Sequence, residues 1–128
     1  MVDLTIAARR EPPTCIKGTI SEYERRLILF FFEEINNLTL PYSCDLELRA
    51  RDEFMKPDST HTGLFQRLTY QESGLNLNTF LWKAFSNWKE KIKKMSGKVE
   101  FGCHFLQIIT CSRIVCIILN QQIPPPRI

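Results

Sequence analysis

Three segments of the chain repeat apolar residues every three or four positions, which is the period of an amphipathic helix. The first covers 21–38 and opens on a capping box, in which a hydroxyl and a carboxylate satisfy backbone amides, and both Thr19 with Glu22 and Ser21 with Glu24 fit this pattern. The second is shorter and covers 44–55. The third, 77–95, has the most regular apolar stripe. The pattern therefore predicts three helices with one face each against a core.

The segment 99–119 is different, because it is apolar on nearly every face of a helix drawn through it. Such a segment is a membrane span, the central helix of a bundle, or a buried pair of strands with a break near 110–112. Glu100, His104, Gln107 and Arg113 disfavour a span, and an arginine near the centre of a span costs about 2.5–3.5 kcal/mol. The length favours a helix, so the interpretation is a central soluble helix.

These elements predict an all-α fold, a small helical bundle around the central apolar helix. A further short helical stretch is expected at 64–68, and no segment sustains the two-residue alternation of a strand. The predicted organisation is a flexible N-terminal arm (1–18), a single helical domain (19–120) and a proline-rich disordered tail (121–128).

Composition adds a prediction about the compartment. The chain has 128 residues, a net charge of +3 and five cysteines, an odd number that contains no CxxC pair. Its first residues lack the apolar core of a secretory signal. Buried, reduced thiols in the cytoplasm are therefore expected, and the Asn37-Leu38-Thr39 sequon is expected to carry no glycan.

No catalytic or metal-binding pattern is found in the sequence. His61 and His104 have no partner at metal-ligand spacing, and Cys103 and His104 point in different directions if they are neighbours on a helix. The lysine-rich stretch 89–98 is diluted by Glu90 and favours a solvated helix face over a nucleic-acid site. We expect no enzyme activity, no cofactor, no metal and no nucleic-acid partner.

Four short segments resemble a divergent Bcl-2 family apoptosis regulator, of the kind that some large DNA viruses encode. Residues 21–38 are similar to the first helix of that family. Residues 48–54 resemble its BH3 stretch, 85–92 its BH1 box around an Asn-Trp pair, and 99–105 its buried central helix. The resemblance implies an apoptosis inhibitor that binds BH3 helices of pro-apoptotic proteins in a hydrophobic groove, in the host cell cytoplasm or at mitochondria.

The resemblance also implies the residues of that groove. Lys91 is expected to pair with the aspartate of the ligand helix. The full set is Leu48, Phe54, Phe65, Leu68, Leu81, Phe85, Asn87, Trp88, Lys91 and Phe101. Two alternatives stay open: an α-helical protein that forms homodimers or larger oligomers without a BH3 ligand, and a membrane-active protein that uses 99–119. In the preferred interpretation no transmembrane span is expected.

Overall fold

The computed structural model describes residues 11–57 and 64–120. The elements in chain order are α1 (Glu22–Asn36), α2 (Cys44–Glu53), β1 (Phe65–Ser73), α3 (Leu77–Lys94), β2 (Lys98–Ile108) and β3 (Cys111–Asn120). The three strands form one antiparallel sheet in the order β1-β3-β2. Helices α1 and α3 pack on one face of the sheet and α2 on the other. The predicted all-α fold is therefore wrong, and the protein is a mixed α/β sandwich.

The three amphipathic helices are confirmed. At the start of α1, the Ser21 amide donates to the Glu24 carboxylate at 2.8 Å, and the Ser21 hydroxyl accepts from the Glu24 amide at 3.1 Å. Ser43 caps α2 and Asn76 caps α3 in the same way, each through a side-chain oxygen. Local capping and one apolar face are enough to specify such helices.

The predicted central helix at 99–119 is wrong, because this segment is the β2–β3 hairpin. It is apolar on all sides because β3 is the middle strand and both faces of the sheet are covered by helices. Ile114, Cys116 and Ile118 pack towards α1 and α3, whereas Val115 and Ile117 pack towards α2. A strand that is buried on both faces loses its two-residue alternation and becomes a continuous apolar run.

The short helix expected at 64–68 is also wrong, since residues 65–68 belong to β1. Leu68 pairs with Cys116 of β3, and the pairing continues to Ser73 opposite Cys111. The predicted tail and residues 1–10 of the predicted arm lie outside the described residues, as does His61.

The prediction of reduced thiols is wrong. Cys15 is bonded to Cys44, which ties the segment before α1 to the start of α2. Cys103 is bonded to Cys116, its direct partner across β2 and β3, and both side chains are buried. Cys111 is the free cysteine of the described residues. Among these residues, no helix is long and apolar enough to cross a membrane.

Helix α2 lies so close to β2 that only glycine is accommodated at position 102. A Cβ atom added to Gly102 would lie 2.5 Å from the Glu47 nitrogen and 2.6 Å from the Ser43 oxygen. Both are backbone atoms at the start of α2, and backbone atoms cannot move aside as the end of a flexible side chain can. Gly102 therefore sets the distance between this helix and the sheet.

We expect Gly102→Ala to lower the free energy of unfolding by about 3 kcal/mol, because the added methyl group forces α2 away from β2. The measurement is urea unfolding followed by circular dichroism. Gln107→Ala, at an exposed position of the same strand, is the control and should change the stability by less than about 0.5 kcal/mol. Equal stability of the two variants would contradict the close packing of α2.

Candidate functional site

The residues predicted to line a groove do not form one. Leu68, Leu81, Phe85, Trp88 and Phe101 are buried in the core between the sheet and helices α1 and α3. Their apolar surface is fully used by the protein itself.

The remaining members of that set lie elsewhere. Phe54 is buried on the opposite face of the sheet, where Phe65 packs with it. Leu48 is half-buried on α2, and Asn87 and Lys91 are exposed on α3. The sheet thus separates the side chains that a single groove would need to bring together.

A buried cluster of polar side chains surrounds Glu47, which is 0% exposed. Arg25 of α1 donates from Nε to Glu47 Oε1 at 2.7 Å. The Thr19 amide donates to Oε2 at 2.7 Å, and the Tyr42 hydroxyl lies 2.7 Å from Oε1. The same hydroxyl accepts a hydrogen bond from the Cys103 amide of β2 at 3.3 Å. Glu47 therefore joins both helical layers to the edge of the sheet.

The charge of Glu47 is retained despite its burial. Burial by itself raises the pKa of this carboxyl group, but the hydrogen bonds from Arg25, Tyr42 and Thr19 outweigh it and bring the pKa below 4.5. Burial, followed by the neighbouring Glu47 charge, raises the pKa of Tyr42 well above 10.0. Both oxygens of Glu47 already accept hydrogen bonds from the protein, so the cluster acts as a structural clamp.

His104 lies beside this clamp, on the face of β2 that is turned to α2. Its Nδ1 is 2.8 Å from the Thr19 hydroxyl oxygen, and its ring meets the Phe54 ring edge-on at 4.9 Å between centroids. Burial lowers the pKa of His104 below 6.5. The charged groups that act on it are Glu47 and Arg51 of α2 and Glu24 of α1, the carboxylates raising and Arg51 lowering its pKa.

We expect the protein to lose stability in mild acid because of His104. Its folded pKa is lower than its unfolded pKa of 6.5, so its contribution is complete above pH 6.5 and is lost as the pH falls towards the folded value. The free energy of unfolding should therefore decrease from about pH 7.5 to about pH 5.5, a range in which Glu47 stays charged.

The matched variant for this prediction is His104→Gln, which keeps a polar group beside Thr19. It should show a smaller decrease over the same interval in urea unfolding. His61 is present in both proteins, so its titration cancels in the comparison. An unchanged decrease in the variant would contradict the assignment to His104.

The tip of the β2–β3 hairpin is the second feature with functional potential. Leu106, Ile108 and Ile109 are exposed by 42%, 55% and 91%. The surrounding segment 106–112, LQIITCS, contains no charged residue. Large apolar side chains that are exposed together are typical of interaction sites.

The length of α2 explains why this tip is uncovered. A ten-residue helix spans about 15 Å, whereas the eleven-residue β2 spans about 35 Å. Helix α2 covers β2 near Gly102 and His104 and ends where the Arg113 guanidinium donates to the Phe54 carbonyl at 3.0 Å. Leu106 and Ile108 continue on the same face of β2 beyond that end.

The backbone at Ile109 is strained. Ile109 is the first residue of the two-residue turn and has a φ of 54°, in the region that favours glycine. Hairpin turns of this length usually place glycine or asparagine at positive φ. The Gly74 amide fixes the turn by donating to the Thr110 carbonyl at 2.9 Å. An isoleucine at this position costs about 1–3 kcal/mol, a cost that is typical of functional sites.

Comparison with known proteins places the chain in a family. The model of the Ancylostoma-associated secreted protein related family matches residues 16–118, which include all six elements up to the last residues of β3. The chain belongs to this family.

The resemblance to Bcl-2 proteins is therefore wrong. The predicted apoptosis function, the BH3-containing partners and the cytoplasmic or mitochondrial localisation are wrong as well. Family members are secreted, which agrees with the two disulfides.

Several solved structures share the fold of this chain. NaASP2, in a crystal structure with Zn2+, has a TM-score of 0.61 at 13% identity, and the match covers 82% of this chain and 83% of that one. Ancylostoma-secreted protein Ac-ASP-7 has a TM-score of 0.57 at 16% identity, with 90% and 78% covered. The hookworm platelet inhibitor has a TM-score of 0.55 at 12% identity, with 89% and 76% covered. A comparison with curated protein sequences gives no match.

Two of the similar structures are described with a metal ion, namely NaASP2 with Zn2+ and manganese-bound Ac-ASP-7. In residues 11–57 and 64–120 of this chain, no group of three or more His, Cys, Asp or Glu side chains is arranged to hold a metal ion. His104, for example, is engaged with Thr19 and Phe54.

Proposed function

We propose that this protein is a secreted, non-enzymatic binding protein that inserts the tip of its β2–β3 hairpin into an apolar pocket of an extracellular protein. The observation that carries the proposal is Ile109, a β-branched residue at positive φ whose side chain is 91% exposed. The fold would be more stable with glycine at this position. An exposed isoleucine that costs stability is explained if it serves a contact outside the chain.

The energy available at the tip is sufficient for recognition. Burial of one isoleucine or leucine side chain contributes about 1.5–3 kcal/mol. Leu106, Ile108 and Ile109 together therefore supply the apolar anchor of an interface. Because the segment 106–112 carries no charge, the complementary surface is apolar as well.

The size of the tip favours a pocket on a different protein over a second copy of the chain. A stable interface buries about 800 Å² on each partner. Two narrow hairpin tips packed against each other would bury less than this area. A projecting tip and a concave pocket give the larger contact. The oligomeric state of the wild-type protein and of Ile109→Gly distinguishes self-association from binding to a different protein.

Two features support a non-enzymatic role. The Glu47 cluster is buried, and the hydrogen bonds of its carboxylate are satisfied within the protein. The described residues offer no metal cluster. One solved relative, the hookworm platelet inhibitor, is by its name an inhibitor on this fold, and inhibition by binding needs no catalytic group.

The test is Ile109→Gly, which removes the side chain and relieves the strain at once. We expect the variant to be as stable as the wild-type protein or more stable, by up to about 2 kcal/mol. We also expect it to lose at least about tenfold in affinity for its partner, because the loss of one buried isoleucine exceeds about 1.4 kcal/mol. The measurements are urea unfolding and binding to washed platelets and to an array of extracellular receptor domains.

Ile16→Gly is the matched control, since Ile16 is 98% exposed and lies outside the tip. It should leave binding unchanged. The proposal is contradicted if the wild-type protein binds none of the probes, or if Ile109→Gly and Ile16→Gly bind equally well. Light scattering measures the oligomeric state. If the wild-type protein is a dimer and Ile109→Gly is a monomer, the tip serves self-association, and the proposal that it binds a different protein is contradicted.

A further inference from the structure

The segment that follows α1 carries a modification signal that the binding role does not use. Asn37-Leu38-Thr39 is the one Asn-X-Ser/Thr triplet of the chain, since none of the other asparagines has a serine or threonine two positions later. Because the family is secreted, this triplet reaches a compartment where such signals are recognised. We propose that Asn37 carries an N-linked glycan.

The geometry of the triplet suits this modification. Asn37 ends α1 with φ 49° and ψ 44°, and its amide donates to the Glu33 carbonyl at 2.8 Å. Asn37 and Thr39 are exposed, whereas Leu40 is buried in the core. Because the Asn37 side chain is exposed, its amide nitrogen is accessible. Asparagine suits a left-handed helix end, but that role places no requirement on residue 39.

The reaction needs a lipid-linked oligosaccharide diphosphate as donor. The Asn37 amide nitrogen forms a bond to the first sugar carbon of the donor, and the bond from that carbon to the diphosphate oxygen breaks. The lipid diphosphate leaves and the amide loses one proton. No oxidation or reduction is involved.

The surroundings of Asn37 leave room for a sugar. A cavity of about 330 Å³ lies between the end of α1 and the last turns of α3, and Asn37 is at its rim. It is lined by the apolar side chains of Leu38 and Ile92 and by the charged side chains of Lys89, Lys93 and Lys98. The first sugar residue would therefore cover a polar-edged cavity and displace no packed side chain.

The glycan would also leave the hairpin tip free. Lys98, which lines this cavity, is the first residue of β2, whereas the tip is at the other end of that strand. The two ends of this eleven-residue strand are about 35 Å apart. Glycosylation is therefore independent of the proposed binding function, and either can fail without the other.

The experiment is expression of the full chain behind a cleavable leader in a eukaryotic secretory host, followed by the glycosidase that releases N-linked glycans. The secreted wild-type protein should lose the mass of one glycan on treatment, and its peptide should then contain Asp at position 37. Thr39→Ala should be secreted without the glycan, whereas Thr39→Ser should keep it. Because Thr39→Ala retains Asn37, it preserves the left-handed end of α1.

Asn78→Gln is the matched control at an exposed asparagine without a signal, and it should be glycosylated like the wild-type protein. Wild-type protein with a mass that the glycosidase does not change overturns the proposal. A glycan that persists in Thr39→Ala overturns the assignment to Asn37. Circular dichroism of each secreted variant establishes that it is folded.

Discussion

The buried ion pair between Arg25 and Glu47 is the contact on which the arrangement of the layers depends. Arg25 belongs to α1 on one face of the sheet and Glu47 to α2 on the other, and they meet at 2.7 Å around the outer edge of β2. That edge is closed by the segment before α2, because the Ser43 amide donates to the Phe101 carbonyl at 2.7 Å and the Phe101 amide to Pro41 at 3.1 Å. The ion pair therefore joins two helices that the sheet otherwise separates.

The Glu47 clamp also explains why the tip of the β2–β3 hairpin is exposed. With α2 held over Gly102 and His104, the helix is too short to reach the end of β2, and the hairpin tip projects beyond it. The Cys103–Cys116 bond and the pairing of β3 with both neighbours keep the base of that tip rigid. An apolar tip on a rigid base binds with little loss of conformational entropy. A glycan at Asn37, near the opposite end of β2, would leave this surface open.

The three helices could be predicted from the sequence. The strands and the Glu47 clamp could not, for identifiable physical reasons. Helices α1 and α3 contain their own caps and their own apolar stripes, so local information specifies them. Strand β3 contains no alternation because Val115 and Cys116 are both buried, on opposite faces. The Glu47 clamp joins residues that are 22 and 28 positions apart, and no local pattern indicates such a partner. The Bcl-2 resemblance failed because its short segments require a helix at 99–105, where Phe101 and Cys103 belong to a strand.

A double-mutant cycle of Arg25→Met and Glu47→Gln, measured by urea unfolding at neutral pH, tests the clamp most directly. Each single variant leaves one buried charged group without its partner and should lose about 3–5 kcal/mol of stability. The double variant contains neither charge, so its loss should be smaller than the sum of the single losses by more than about 1 kcal/mol, which is beyond the roughly 0.5 kcal/mol expected of independent sites. Losses that simply add would contradict the clamp as the contact that holds the two helical layers together.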